Sequence, residues 1–102
     1  MNLITLIRNN NCEIKYDVEY QKEWSDDELL SHIIFLDCHC KQLTTLLDLI
    51  NCQELYCYDN QLTTLPDLIN CQELDCSNNQ LIYDNIEEHK KLVKFRNFYK
   101  HL

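Results

Sequence analysis

Seven cysteines and four histidines invite a metal or thiol chemistry. Zinc takes thiolate and imidazole ligands in closely spaced pairs. Cys38-His39-Cys40 offers three such donors in a row, and four residues separate Cys52 from Cys57 and Cys71 from Cys76. The spacing has a plainer cause. Cys38, Cys57 and Cys76 recur every 19 residues, as do Cys52 and Cys71. Each falls where an apolar residue belongs, and Cys behaves as a small, often buried hydrophobe. Only Cys40 leaves that frame, and no neighbouring base activates it as a nucleophile.

The acidic run Asp26-Asp27-Glu28 reads as a carboxylate pair only until Ser25 is included. Ser25 with Glu28 is a capping box at the start of a helix, with acids at its positive end. No Ser/His/Asp order is present, and a chain with no glycine has no phosphate-cradling loop. The expectation is therefore no catalytic residue, no metal ligand set and no cofactor.

The residues are positioned by a repeat. Residues 36–54 read LDCHCKQLTTLLDLINCQE and residues 55–73 read LYCYDNQLTTLPDLINCQE, identical at 14 of 19 positions without a gap. A third copy opens at Leu74 as LDCSNNQL and diverges after Leu81. Each unit predicts a short strand with two inward residues: Leu36 and Cys38, Leu55 and Cys57, Leu74 and Cys76. Parallel stacking carries these as ladders through the core. Cysteines on strands ~4.8 Å apart come within disulfide reach, and a reducing compartment argues against the bond. Asn60 and Asn79 stand where a buried amide can satisfy the chain leaving the strand, with Lys41 at that position in the first copy. Leu43, Leu62 and Leu81, then Leu46 and Leu65, then Leu49 and Leu68 fill the core beneath, and Pro66 predicts an extended segment with no helix.

Upstream, the apolar run Met1 to Ile7 predicts a strand through Leu3–Ile7, Asn9 to Asn11 a turn, and the alternation Cys12, Ile14, Tyr16, Val18, Tyr20 a second strand. Together they predict a β-hairpin, followed by a helix at about 26–34. A degenerate repeat is the rival reading, disfavoured because the frame puts Asp17 and Glu19 at core positions. Downstream, Asp84 and Glu87 suggest a second capping box. Leu92, Phe95, Phe98, Tyr99 and Leu102 then share a helical face, predicting a helix at about 85–101 that closes the core. The alternative is a fourth strand at 92–96, since Val93 and Phe95 lie 19 residues after Leu74 and Cys76.

The unit L-x-C-x-x-N-x-L-T-x-L-P-x-L resembles the leucine-rich-repeat superfamily over residues 33–82. In its Cys and Asn flavour it is similar to uncharacterised repeat proteins of giant DNA viruses of amoebae. It is also similar to Leu-Pro-type bacterial effectors, which add a ubiquitin-ligase domain for which this chain has no room. Lys41 and Leu47 depart from the pattern. The resemblance implies an α/β solenoid with parallel strands on a concave face. The cap of 1–35 is the hairpin and helix, 36–82 the repeats, and 83–102 a helical cap, in one structural domain.

Function is then expected on the outward strand positions, where the copies differ: Asp37 becomes Tyr56, His39 becomes Tyr58 and Cys40 becomes Asp59. The candidate face comprises His39, Glu54, Tyr56, Tyr58, Asp59, Glu73 and Asp75. It is acidic and aromatic, which suits a basic protein or peptide. The alternatives are drift at solvated positions, a substrate adaptor in a ubiquitin-ligase assembly, and a functionless product of repeat expansion. An open array end leaves room for a homo-oligomer. Residues 36–81 carry one basic and seven acidic groups, so nucleic acid is not expected. Residues 82–102 carry five basic and three acidic groups, too slight a basic excess to favour a membrane. No run reaches a membrane span, and the first residues lack the basic start of a secretory signal. An intracellular setting, the (host) cytoplasm, is expected.

Overall fold

Asn2 opens the first helix, where the sequence pattern predicts a strand. The structure, a computed structural model, describes residues 2–100. The apolar run begins at Met1, and the expected helical face ends beyond His101 at Leu102; these three residues lie outside the described ones. The Asn2 side chain accepts hydrogen bonds from the Thr5 amide at 2.9 Å and the Thr5 hydroxyl at 3.0 Å, capping α1 (Leu3–Arg8). Leu3, Ile4, Leu6 and Ile7 then bury one helical face. The turn follows, with Asn10 left-handed at φ 59°.

Next comes β1 (Glu13–Tyr16), shorter than the alternation suggests. Val18 and Tyr20 are exposed. With Leu3–Ile7 helical, no hairpin forms, and β1 pairs antiparallel with β2 (Ile33–Asp37) instead. Between them lies α2 (Asp26–Ser31), whose capping box is complete: Ser25 accepts from the Glu28 amide and Glu28 from the Ser25 amide. Arg8 ties α1 to α2 by donating to the Trp24 carbonyl and to Asp26, both at 2.9 Å. Trp24 stacks on His32, ring centroids 4.4 Å apart.

The repeat supplies β3 (Glu54–Tyr56) and β4 (Glu73–Asp75). Phe35, Glu54 and Glu73 lie in register, as do Leu36, Leu55 and Leu74. The sheet order is β1-β2-β3-β4, antiparallel at the first pair and parallel after it. Leu36, Cys38, Cys52, Leu55, Cys57 and Leu62 are wholly buried beneath it.

An open α/β solenoid with a hairpin cap is therefore not the architecture. One mixed four-stranded sheet and three helices close into a small globule. Its radius of gyration is 13.6 Å, close to the ~13 Å of an ordinary 100-residue domain. The reason is the scarcity of copies. Two full units and a fragment cannot extend as an array, and α1, β1 and α2 contribute their apolar residues to the same core.

The strands end early, at Asp37, Tyr56 and Asp75. Just beyond, Cys40, Asp59 and Asn78 turn the chain at φ 55°, 56° and 53°. These left-handed turns recur every 19 residues without a glycine. The Asn60 side chain, nearly buried, holds them. Its Oδ1 accepts from the amides of Lys41 and Leu43, both at 3.0 Å. Its Nδ2 donates to the carbonyls of Cys38 and Cys57 at 3.0 Å and of Tyr58 at 3.3 Å. Asn79 repeats the arrangement one unit on, reaching Leu62 N and Cys57 O. Each asparagine thus serves the turn of the unit before it. The first unit has no preceding repeat turn to serve, so Lys41 costs nothing there, and its side chain stays half-exposed.

The last helix is α3 (Ile86–Lys100), so no strand forms at 92–96. The expected cap is displaced by one residue: Asn85 Oδ1 accepts from the Glu88 amide at 2.9 Å. The helix does not close the core with its aromatic face. His89 is its one buried residue. Its Nε2 lies 3.0 Å from the Asp67 carbonyl, which only accepts. That fixes the proton on Nε2 and leaves Nδ1 to accept from the Tyr83 hydroxyl at 2.7 Å.

Replacing Asn60 by Ala strands two amides and two buried carbonyls, so chemical denaturation should register a loss of about 3 kcal/mol. The same change at the half-exposed Asn79 should cost about half of that. Cys40→Gly should raise stability by about 1 kcal/mol, because a non-glycine residue pays that much for the left-handed region.

Candidate functional site

The outward face of the sheet brings together most of the expected residues. Alternation places Glu54 and Tyr56 opposite the buried Leu55. Phe35 and Asp37 lie beside them on β2, and Glu73 and Asp75 on β4. Phe35 and Tyr56 rings lie 5.6 Å apart. His39, Tyr58 and Asp59 belong to the turns past the strands, not to the strands themselves. His39 and Tyr58 still stack, at 4.7 Å and nearly parallel.

Local bonding explains some of these residues without a ligand. Asp37 accepts from the backbone amide and Nδ1 of His39. Asp75 does the same for the amide and hydroxyl of Ser77, at 3.1 Å and 2.6 Å. Both are Asx turns that stabilise the exit from the strand. Asp59 occupies a left-handed position that Asp tolerates well, and it accepts from Asn78 at 2.7 Å. His39, Asp59 and Asp75 therefore have structural work.

Glu54, Glu73, Tyr56 and Tyr58 are different. Glu54 and Glu73 stand in register on adjacent parallel strands, a like-charge pairing that destabilises a sheet. Neither has an ion-pair partner among the described residues. The Tyr56 hydroxyl donates to Glu73 at 3.0 Å, and that bond, ahead of desolvation and the nearby carboxylates, pushes its pKa upward. Tyr58 is also raised, by desolvation first and then by the charges of Asp37, Asp75 and Asp59. The face is a field of negative potential with aromatic surfaces set in it.

Sequence reasoning missed Lys15. The register of β1 on β2 sets it opposite Phe35, with Nζ 5.3 Å from the ring centroid. A cation already seated on an aromatic of this face shows the kind of group the face accommodates. Its location depends on a strand pairing that no local pattern encodes.

The thiols belong elsewhere. All seven cysteines are free, and Cys38, Cys52, Cys57, Cys71 and Cys76 are buried. Desolvation pushes Cys52 up to about 12 and Cys76 up to about 11, and raises Cys38, Cys57 and Cys71 as well. Such thiols are poor nucleophiles at neutral pH. Among the described residues, no three His, Cys, Asp or Glu side chains converge as a metal set. Also among them, no helix is long and apolar enough to cross a membrane.

No family model, curated protein or solved structure matches the chain.

Alkylation of the native protein at neutral pH should modify Cys40 quickly and Cys12 more slowly. The five buried thiols should react only on unfolding, as peptide mass spectrometry would record. Raised folded-state pKa values mean that the core thiols support folding fully below their ordinary pKa of about 8.5. That support is lost as pH climbs towards 11–12, the folded values of Cys76 and Cys52. The denaturation midpoint should fall over that window, and less steeply once Cys52 is replaced by Val.

Proposed function

We propose that this protein is a non-catalytic interaction module whose outward sheet face binds a basic protein or peptide. The observation that carries the reading is the in-register pair Glu54 and Glu73 beside Tyr56. A lysine or arginine from a partner would relieve their mutual repulsion while its aliphatic stem packs on the Tyr56 and Tyr58 rings. Electrostatic attraction of this kind speeds encounter and weakens with salt. The free core thiols fit a reducing intracellular setting.

The test is direct. A synthetic Lys/Arg-rich peptide with an interspersed aliphatic residue should bind, more weakly as salt rises, while an acidic peptide of equal length should not. Tyr56→Ala with Tyr58→Ala should reduce affinity at least tenfold by titration calorimetry. Glu54→Gln should move two quantities in opposite directions. Stability should rise by a few tenths of a kcal/mol as the like-charge contact is removed, and affinity should fall. Equal binding of acidic and basic peptides, or affinity indifferent to both tyrosines, would reject this face as the site.

A further inference from the structure

The face of α3 that the sequence pattern assigns to the core points outward. With His89 buried, the ~100° step per residue puts Phe95 at the middle of the opposite side. Leu92, Phe98, Tyr99, Lys91 and Glu88 surround it. Phe95, Phe98 and Tyr99 are 59%, 62% and 58% exposed. Their rings pack on one another, 4.6 Å between Phe95 and Tyr99 and 5.7 Å between Phe98 and Tyr99. Ile82, 90% exposed, stands alongside. Between Ile82, Tyr83, Lys91, Leu92 and Phe95 runs a groove of about 310 Å³. Knobs and a hole thus lie next to each other on one surface. An exposed aromatic cluster of this kind marks an interaction site.

We infer that α3 is a homodimerisation element, pairing antiparallel with α3 of a second copy about a two-fold axis at Phe95. A two-fold interface must be self-complementary, and this one is. Glu88, Leu92, Phe95 and Tyr99 are spaced 4, 3 and 4 residues apart, the seam of two packed helices. In the antiparallel register Phe95 meets its copy and Leu92 meets Phe98. The aromatic knobs of one helix then enter the Ile82–Leu92 groove of the other.

Charge selects this occupant and direction. The exposed face carries one cation, Lys91, and one anion, Glu88. Parallel pairing would stack Lys91 on Lys91 and Glu88 on Glu88. Antiparallel pairing separates the two lysines by about 12 Å and places each over the partner's Tyr99 ring, a cation–π contact. It also aligns the acidic first turn (Glu87, Glu88) with the basic end of the partner helix, where the last turn holds Lys100, and opposes the two helix dipoles. This interface is independent of the sheet face.

Sedimentation of the full chain should show a monomer–dimer equilibrium that shifts to dimer as concentration rises. Phe95→Asp should abolish the dimer while leaving far-UV circular dichroism and the unfolding midpoint unchanged, since the side chain supports no core contact. In a Cys40→Ser background, Phe95→Cys should form a cross-linked dimer on mild oxidation. Leu92→Cys mixed with Phe98→Cys should give the heterodimer in preference to either homodimer. A protein that stays monomeric at all concentrations, or a dimer indifferent to Phe95→Asp, would overturn the inference. So would preferential Leu92–Leu92 cross-linking, which reports parallel pairing. Binding of the monomer to phosphatidylserine vesicles, lost on Phe95→Asp, would assign the face to a lipid surface and also overturn it.

Discussion

The structure depends on a side-chain amide reaching backwards. Asn60 closes two successive turns at once, accepting from Lys41 and Leu43 and donating to carbonyls of its own unit and the one before. Three-residue strands supply too few ladder bonds to fix their own spacing. The ladder instead continues through the turns, where Cys40 N meets Tyr58 O and Asp59 N meets Ser77 O at 3.1 Å. A second, more exposed series does the same on the other side of each unit: Asn51 donates to Ser31 O and Asn70 to Ile50 O, both at 2.7 Å. No buried side-chain nitrogen or oxygen among the described residues lacks a partner. Amides buried by repetition are thereby satisfied by repetition, and the sheet face above them is free to vary.

What was legible in the sequence was local or periodic. Ser25 and Glu28 form their box because both partners lie within one turn. The 19-residue period becomes the register of β2, β3 and β4 because identical units stack without slip. What was not legible needed a non-local partner or a contest between patterns. Leu3, Ile4, Leu6 and Ile7 fit a short apolar strand as well as a helical face; Asn2, an N-cap with its own Thr5 bonds, decided it. The partner of β1 lies 20 or more residues away, so the pairing that locates Lys15 has no local sign. In α3 the aromatic stripe was read as the buried side. A single histidine reversed it, because two hydrogen bonds inside the globule, to Tyr83 and to Asp67, hold His89 where no apolar residue could replace it.

The cysteines show why a residue type with chemistry need not perform any. Cys52 and Cys71 each place Sγ 3.1 Å from a carbonyl two residues on, Glu54 O and Glu73 O. A thiol donates weakly there, where Ala or Val would leave the oxygen without that contact. Cys38, Cys57 and Cys76 stack on adjacent units where only a small apolar group fits. Burial that makes them good core residues raises their pKa and so disarms them. Core packing and thiol reactivity make opposing demands, and packing prevails at these positions.

The same separation applies to the varied face. Differences between copies are evidence of recognition only where the backbone does not already require them. At the turn position Asp59 and Asn78 suit a left-handed residue better than Cys40 does, so that variation has a conformational cause. Asp37 and Asp75 close Asx turns, and Tyr56, which replaces them in the middle unit, gives that bond up. Nothing local compensates for its loss. The hydroxyl instead crosses to Glu73, and the ring lies between Phe35 and the unpaired carboxylates of Glu54 and Glu73. A substitution that forfeits a turn bond and retains an uncompensated charge pair runs against stability. The argument for binding therefore contracts from seven residues to Tyr56, Tyr58, Glu54 and Glu73, the four whose presence the fold alone does not explain.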